Sequence, residues 1–344
     1  MATVAAVRAG TTPVEPAPER SRTLSRPGAG SGLVGVTLVV LVAAGGRPLL
    51  DDLLDRPAVA NWATVFVALV VQAMPFLVLG VAVSAAVAAF VPPGVLPRLL
   101  PRRPALAVPV AATAGLVLPG CECGSVPIAG RLVDQGTPAP AALAFLLAAP
   151  AINPVVLVAT AVAFPDDPQV VVARFLASFL AAIVVGLVWS RRTRRSGDDG
   201  IDRAAPAEGA GSRWEVLTAT AQHDLLHAGG FLVVGAVVAA TLQTVVPRDV
   251  VDAVADAGPL AFVALAALAV LMAVCSEADA FVAASLTQFS LTSRLVFMVV
   301  GPMVDVKLVA LQAGTFGRSF ALRFAPLTLL VATGSSAVVG WWLL

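Results

Sequence analysis

Charged residues are few: Asp, Glu, Lys and Arg make up 12% of the 344 residues while 58% are hydrophobic, against about a quarter charged in an ordinary soluble domain. That deficit excludes a soluble globular protein and leaves an integral membrane protein. A formal net charge of +1 gives no electrostatic footprint for nucleic acid, so none is expected as a partner. The three cysteines are too few for a disulfide framework. Two of them are separated by one residue, where a direct bridge is strained, so free thiols are expected. No Gly-rich loop ending in Gly-Lys-Ser/Thr is present. Energy must then come from an ion gradient or a separate partner, and no cofactor is implied.

What the sequence does hold is apolar stretches separated by polar gaps. Residues 1–30, rich in Pro, Gly, Arg, Ser and Thr, read as a disordered tail. An apolar stretch within 31–50 reads as an uncleaved first membrane helix rather than a signal peptide, because it starts late. An Arg-rich linker at 191–213 divides two halves, 59–190 and 214–344, of similar layout. Each half reads as a long helix (Asn61 to Val91; Trp214 to Val246), a segment broken at cysteine (Ala105 to Val133; Pro259 to Gln288), a helix with a proline, and a final helix. Phe76-Leu-Val-Leu-Gly80 matches Phe231-Leu-Val-Val-Gly235 at a shift of 155 residues. A shift of 152 carries Cys123 to Cys275, Phe145 to Phe297, Pro150 to Pro302 and Asn153 to Asp305.

The arginines choose a topology, because Lys and Arg accumulate in cytoplasmic loops. If each broken segment enters and returns as a hairpin, the N-terminus, the 92–103 loop, Arg131, the 191–213 linker and the 314–323 loop share the cytoplasmic side, while Arg174 and Lys307 fall within helices. Each half then has three crossings, an odd number, and the second half is inverted relative to the first. The expected fold is an all-α integral membrane protein of the cytoplasmic membrane. It has two inverted structural repeats, each with three crossings plus a broken or re-entrant Cys-bearing hairpin, after one extra N-terminal helix.

Inverted repeats place their substrate site near the midplane, where broken helices leave backbone groups free. Cys121, Cys123 and Cys275 would meet there, and thiolates favour soft metals and metalloids. Glu122, Glu277 and Asp279 lie beside them as oxygen ligands or proton carriers. Pro150 and Asn153, matched by Pro302 and Asp305, mark a second pair of breaks where a side-chain oxygen reaches mid-helix depth. Asp305 is an intramembrane acid, functional by default, with Lys307 as its counter-charge or as a residue snorkelling to the membrane edge. His223 and His227, spaced i and i+4 with Asp224 between them, are a candidate divalent-metal or proton-relay group. The alternative for each cysteine is a small buried apolar residue, and for Asn153 a proline kink satisfied by its neighbours.

Three segments resemble a predicted-permease family that includes the ArsP-type organoarsenical efflux permeases. They are Pro119-Gly-Cys-Glu-Cys-Gly-Ser-Val-Pro127, Gly136-Thr-Pro138 with Phe145-Leu-Leu-Ala-Ala-Pro150-Ala-Ile-Asn153-Pro154, and Cys275-Ser-Glu-Ala-Asp279-Ala-Phe281 with Gly301-Pro302-Met303-Val-Asp305-Val-Lys307. The resemblance covers about residues 59 to 342. It implies export of trivalent organoarsenicals through cysteines that map onto Cys121, Cys123 and Cys275, and some branches look like partners of a second membrane protein in zinc-linked gene sets. The expected function is therefore a permease, not an enzyme, that moves a thiophilic metal or metalloid, either an organoarsenical or a Zn-like divalent ion, by alternating access. Two alternatives stand beside it: a non-transporting subunit of a membrane complex, and a membrane thiol oxidoreductase cycling Cys121 and Cys123, against which the missing CxxC spacing argues.

Overall fold

Long runs of alanine, valine and leucine dictate helices, because a chain in hydrocarbon must satisfy each backbone N–H and C=O within its own segment. The computed structural model describes residues 57–92, 94–101, 103–117, 121–196, 201, 212–245 and 259–344. The expected tail, the 31–50 helix and most of the 191–213 linker lie outside the described residues. In chain order the helices are α1 (Pro57–Phe90), α2 (Val95–Leu99), α3 (Pro104–Ala114), α4 (Glu122–Asp134), α5 (Ala139–Ile152), α6 (Pro154–Ala163), α7 (Gln169–Ser196), α8 (Arg213–Val245), α9 (Pro259–Met272), α10 (Asp279–Ser285), α11 (Leu291–Val300), α12 (Val306–Phe316) and α13 (Arg318–Leu343). Among the described residues, five stretches are long and apolar enough to cross a membrane: Pro57–Phe90, Ala139–Ala163, Gln169–Arg195, Arg213–Thr244 and Arg318–Leu343. About 20 helical residues suffice for a crossing, and the protein is an all-α multi-pass membrane protein.

Burial sorts the helices into centre and periphery. Every side chain of α5 is buried, as a helix apolar all round requires, and it packs against α3, α4 and α7. By contrast, α1 and α8 lie along each other and turn Val67, Val71, Val78, Leu226 and Val234 outward. Lipid tails are as apolar as leucine, so that exposure costs little in a bilayer. The two matched glycines mark where these outer helices press on the inner ones. A Cβ at Gly80 would lie 2.5 Å from Cα of Gly124 in α4, and one at Gly235 would lie 2.6 Å from Cα of Lys307 in α12.

Four interruptions in the helices shape the centre. Between α5 and α6, Asn153 is extended; its Oδ1 accepts the Val156 N–H at 3.0 Å and its Nδ2 donates to the Ala149 carbonyl at 3.0 Å. Pro154 follows at the first helical position, where its missing N–H goes unmissed. Between α11 and α12, Asp305 repeats the cap, with Oδ1 accepting the Leu308 N–H at 2.6 Å. The prolines do not share one role, however: Pro150 lies inside α5, whereas Pro302 sits in the turn after α11. The other two interruptions, between α3 and α4 and between α9 and α10, carry the cysteines.

Candidate functional site

Cys121 is the N-cap of α4, with extended backbone and a carbonyl that accepts the N–H groups of Gly124 at 3.2 Å and Ser125 at 3.3 Å. Cys275 lies in the turn before α10, whose N-cap is Ala278, and its carbonyl likewise accepts from Ala278 at 2.9 Å and Asp279 at 3.0 Å. The Cys121 thiol thus stands at a helix start, where free N–H groups and the helix dipole favour negative charge, and the Cys275 thiol one turn before another. These two meet. One ligand atom each from Cys121, Glu122 and Cys275 lies within 4.8 Å of the other two, and all three residues are buried. The shift of 152 residues pairs Cys275 with Cys123, but the structure gives the equivalent pose to Cys121, because helix-start geometry rather than residue count fixes which thiol projects inward. Cys123, inside the first turn of α4, is buried against the Cys121 sulfur without joining the triad. All three cysteines are free.

A charged network closes over the triad. Lys307, the only lysine in the chain, is 3% exposed; its Nζ lies 2.7 Å from Glu122 Oε1 and 2.8 Å from Asp305 Oδ2 and donates to the Ala273 carbonyl at 2.7 Å. Lys307 is therefore a buried counter-charge, and the snorkelling alternative is excluded. Ala273 ends α9 in a left-handed turn, φ 46°, a conformation costing an alanine about 1 kcal/mol; it aims the carbonyl that Lys307 receives. The Glu122 contact is an ion pair without hydrogen-bond geometry, so that oxygen still lacks a donor. Its other oxygen lies 3.5 Å from the Ser276 hydroxyl. The Cys275 thiol donates to Glu277 Oε2 at 2.8 Å.

Asp279 faces Arg174. The guanidinium lies 2.8 Å from Asp279 Oδ2, with both side chains essentially fully buried. It also donates to Thr160 Oγ1 at 2.9 Å and to the Ser276 carbonyl at 3.2 Å. One arginine of α7 thereby fastens the end of α6 to the turn that carries Cys275. An arginine inside an apolar run was a visible signal, since intramembrane cations are retained for a partner or a pathway, but its partner lies 105 residues away. Gly80, Gly124 and Ser276 are further site residues, each inside a quoted motif but given no role of its own there.

The sequence candidates divide accordingly. Cys121, Glu122, Cys275, Glu277, Asp279, Asp305 and Lys307 come together. Asn153 and Pro150 do not offer the expected free oxygen, because both amide groups of Asn153 close helix ends, and Pro302 is a turn residue. His223, Asp224 and His227 do not converge on one metal among the described residues. Asp224 instead receives the Ser84 hydroxyl at 3.0 Å and pairs with Arg131 at 3.3 Å, while the imidazoles stack at 5.8 Å. These residues line a cavity of about 480 Å³ together with Arg131, Asp134 and Thr315–Arg318.

Comparison with known proteins agrees with this picture. Over 288 residues, 80% of this chain and 96% of the relative, the sequence is 32% identical to UPF0718 protein YcgR of Bacillus subtilis. It is 29% identical over 293 residues, 82% of this chain and 96% of the relative, to a Streptococcus mutans protein named "Putative two-component membrane permease complex subunit". No solved structure matches significantly. The ArsP_1 family, described as "Predicted permease", matches residues 58–341. These matches place the chain among permeases rather than among enzymes: it belongs to the ArsP_1 permease family.

Proposed function

We propose that the protein is a cytoplasmic-membrane permease for a thiophilic metal or metalloid, working by alternating access about Cys121, Glu122 and Cys275. The observation that carries this reading is the buried meeting of two free thiols and a carboxylate within 4.8 Å at two breaks between helices. A metal bonded to sulfur at about 2.3 Å spans about 3.8 Å between two tetrahedral sulfur ligands, so closing the site takes an adjustment of at most about 1 Å. Two inverted repeats of three crossings account for the chemistry arriving from both halves. Support comes from the same caps at Asn153 and Asp305, and from reciprocal packing of α4 on α12 and α10 on α6. The cavity beside Arg131 provides an approach from the side assigned to the cytoplasm, nine residues of α4, or about 13 Å, from Glu122. Glu277, Asp279 and Asp305 would couple transport to protons.

The decisive experiment reconstitutes the purified chain in vesicles and follows methylarsenite and Zn(II) side by side for the wild type, C121S and C275S. Loss of transport of either solute in both variants supports the thiol site; normal transport by both refutes it. The printed name of the streptococcal relative favours a second reading, in which the chain is one subunit of a two-component permease. That reading expects transport only when a second membrane protein is supplied.

A further inference from the structure

Resting on the thiol-site reading, the set of donors at the site narrows the cargo. Four carboxylates surround the two thiols: Glu122 in the triad, Glu277 bonded to Cys275, Asp305 on Lys307 and Asp279 on Arg174. Against them stand two cations, Lys307 and Arg174. Arg174 and Asp279 neutralise each other, whereas Lys307 is divided between two carboxylates, so one negative charge of that trio is uncompensated. Glu277, half-buried, adds a second. Low-dielectric burial makes uncompensated charge costly, and among the described residues Glu122 Oε1 and Asp279 Oδ1 are buried without a hydrogen-bond donor.

Lys307 is arranged to give up one of its partners. Asp305 and the Ala273 carbonyl would still hold its ammonium if Glu122 turned away, while among the described residues the Glu122 carboxylate has a 3.5 Å contact from Ser276 besides Lys307. We propose that the cargo is a soft divalent cation, bound by the sulfurs of Cys121 and Cys275 and the carboxylate of Glu122, and that Lys307 is the resident counter-cation that holds Glu122 between loads. Binding forms two metal–sulfur bonds and releases the two thiol protons to water; no oxidant or reductant is involved. A neutral trivalent arsenical uses the same sulfurs but gains nothing from Glu122 and loses nothing to Lys307.

The test compares two probes on the full chain in detergent micelles. Cd(II) is followed by its ultraviolet sulfur-to-metal charge-transfer band, and phenylarsine oxide by protection of the thiols from maleimide. The quantity that matters is the ratio of the two affinities. E122Q, which is isosteric, is expected to lower cadmium relative to arsenical at least tenfold, and K307Q to raise it at least tenfold. Should K307Q fail to fold, E122Q decides. A ratio that stays within threefold in E122Q overturns the inference, as does a wild type that binds the arsenical but not cadmium. A wild type that binds neither probe refutes the thiol site itself.

Discussion

Replacing Arg174 with methionine tests the least expected element of the site. The substitution keeps most of the side-chain volume but removes the partner of Asp279, whose carboxylate is essentially fully buried and 2.8 Å from the guanidinium. Breaking a buried pair from one side costs about 3–5 kcal/mol, because the remaining charge keeps its desolvation penalty and loses its compensation. Removing both charges in R174M/D279L leaves only the lost hydrogen bonds to Thr160 and the Ser276 carbonyl, at about 1 kcal/mol each. The double variant should therefore be about 1–3 kcal/mol more stable than R174M. Denaturant unfolding in mixed micelles, followed by circular dichroism, measures all three proteins. An R174M variant within about 1 kcal/mol of wild type, or a double variant no more stable than R174M, would show that Arg174 is not holding a buried charge, and the argument would fail.

G80A should push α1 off α4, since its Cβ would meet the Gly124 backbone; a loss of about 1–3 kcal/mol, seen in thermal melts, should come with weaker thiol-site binding. N153A removes a cap and should cost about 1 kcal/mol. D305N keeps a capping oxygen but leaves Lys307 with one fewer carboxylate, so by the same melts it should cost more than N153A; the reverse order would mean that capping is the whole role of Asp305. Cysteines introduced at Arg131 and Thr315, in a background without native thiols, should react with impermeant maleimide from the same side, because both residues line one cavity. Labelling from opposite sides would refute the hairpin topology.

Much of this was legible because hydrocarbon imposes simple rules. The long helices begin and end within a few residues of their apolar runs, since chain entering lipid must stay helical until a polar gap. Asn153 and Asp305 were recognisable as equivalents from their fixed offset and proved to cap equivalent breaks. Offset alone misled at the cysteines, because the inward-facing residue at a helix start depends on backbone turn geometry, and that selected Cys121 over Cys123. For the histidine pair the spacing of i and i+4 puts two imidazoles on one face, as observed, while the partners of Asp224, Ser84 and Arg131, come from other helices and were not legible in that spacing.

By itself the sequence determined the membrane setting, the helical class, the permease family and the expectation of three free thiols. These follow from composition and local pattern, which act along the chain. Only the tertiary structure decided the partners: Lys307 between Glu122 and Asp305, Arg174 on Asp279, and Cys121 with Cys275. Apart from Lys307 and Asp305, two residues apart at the start of α12, each joins segments far apart in the chain. Their cause is the need to pair charges that lipid cannot solvate, a condition met by packing and written in no single segment.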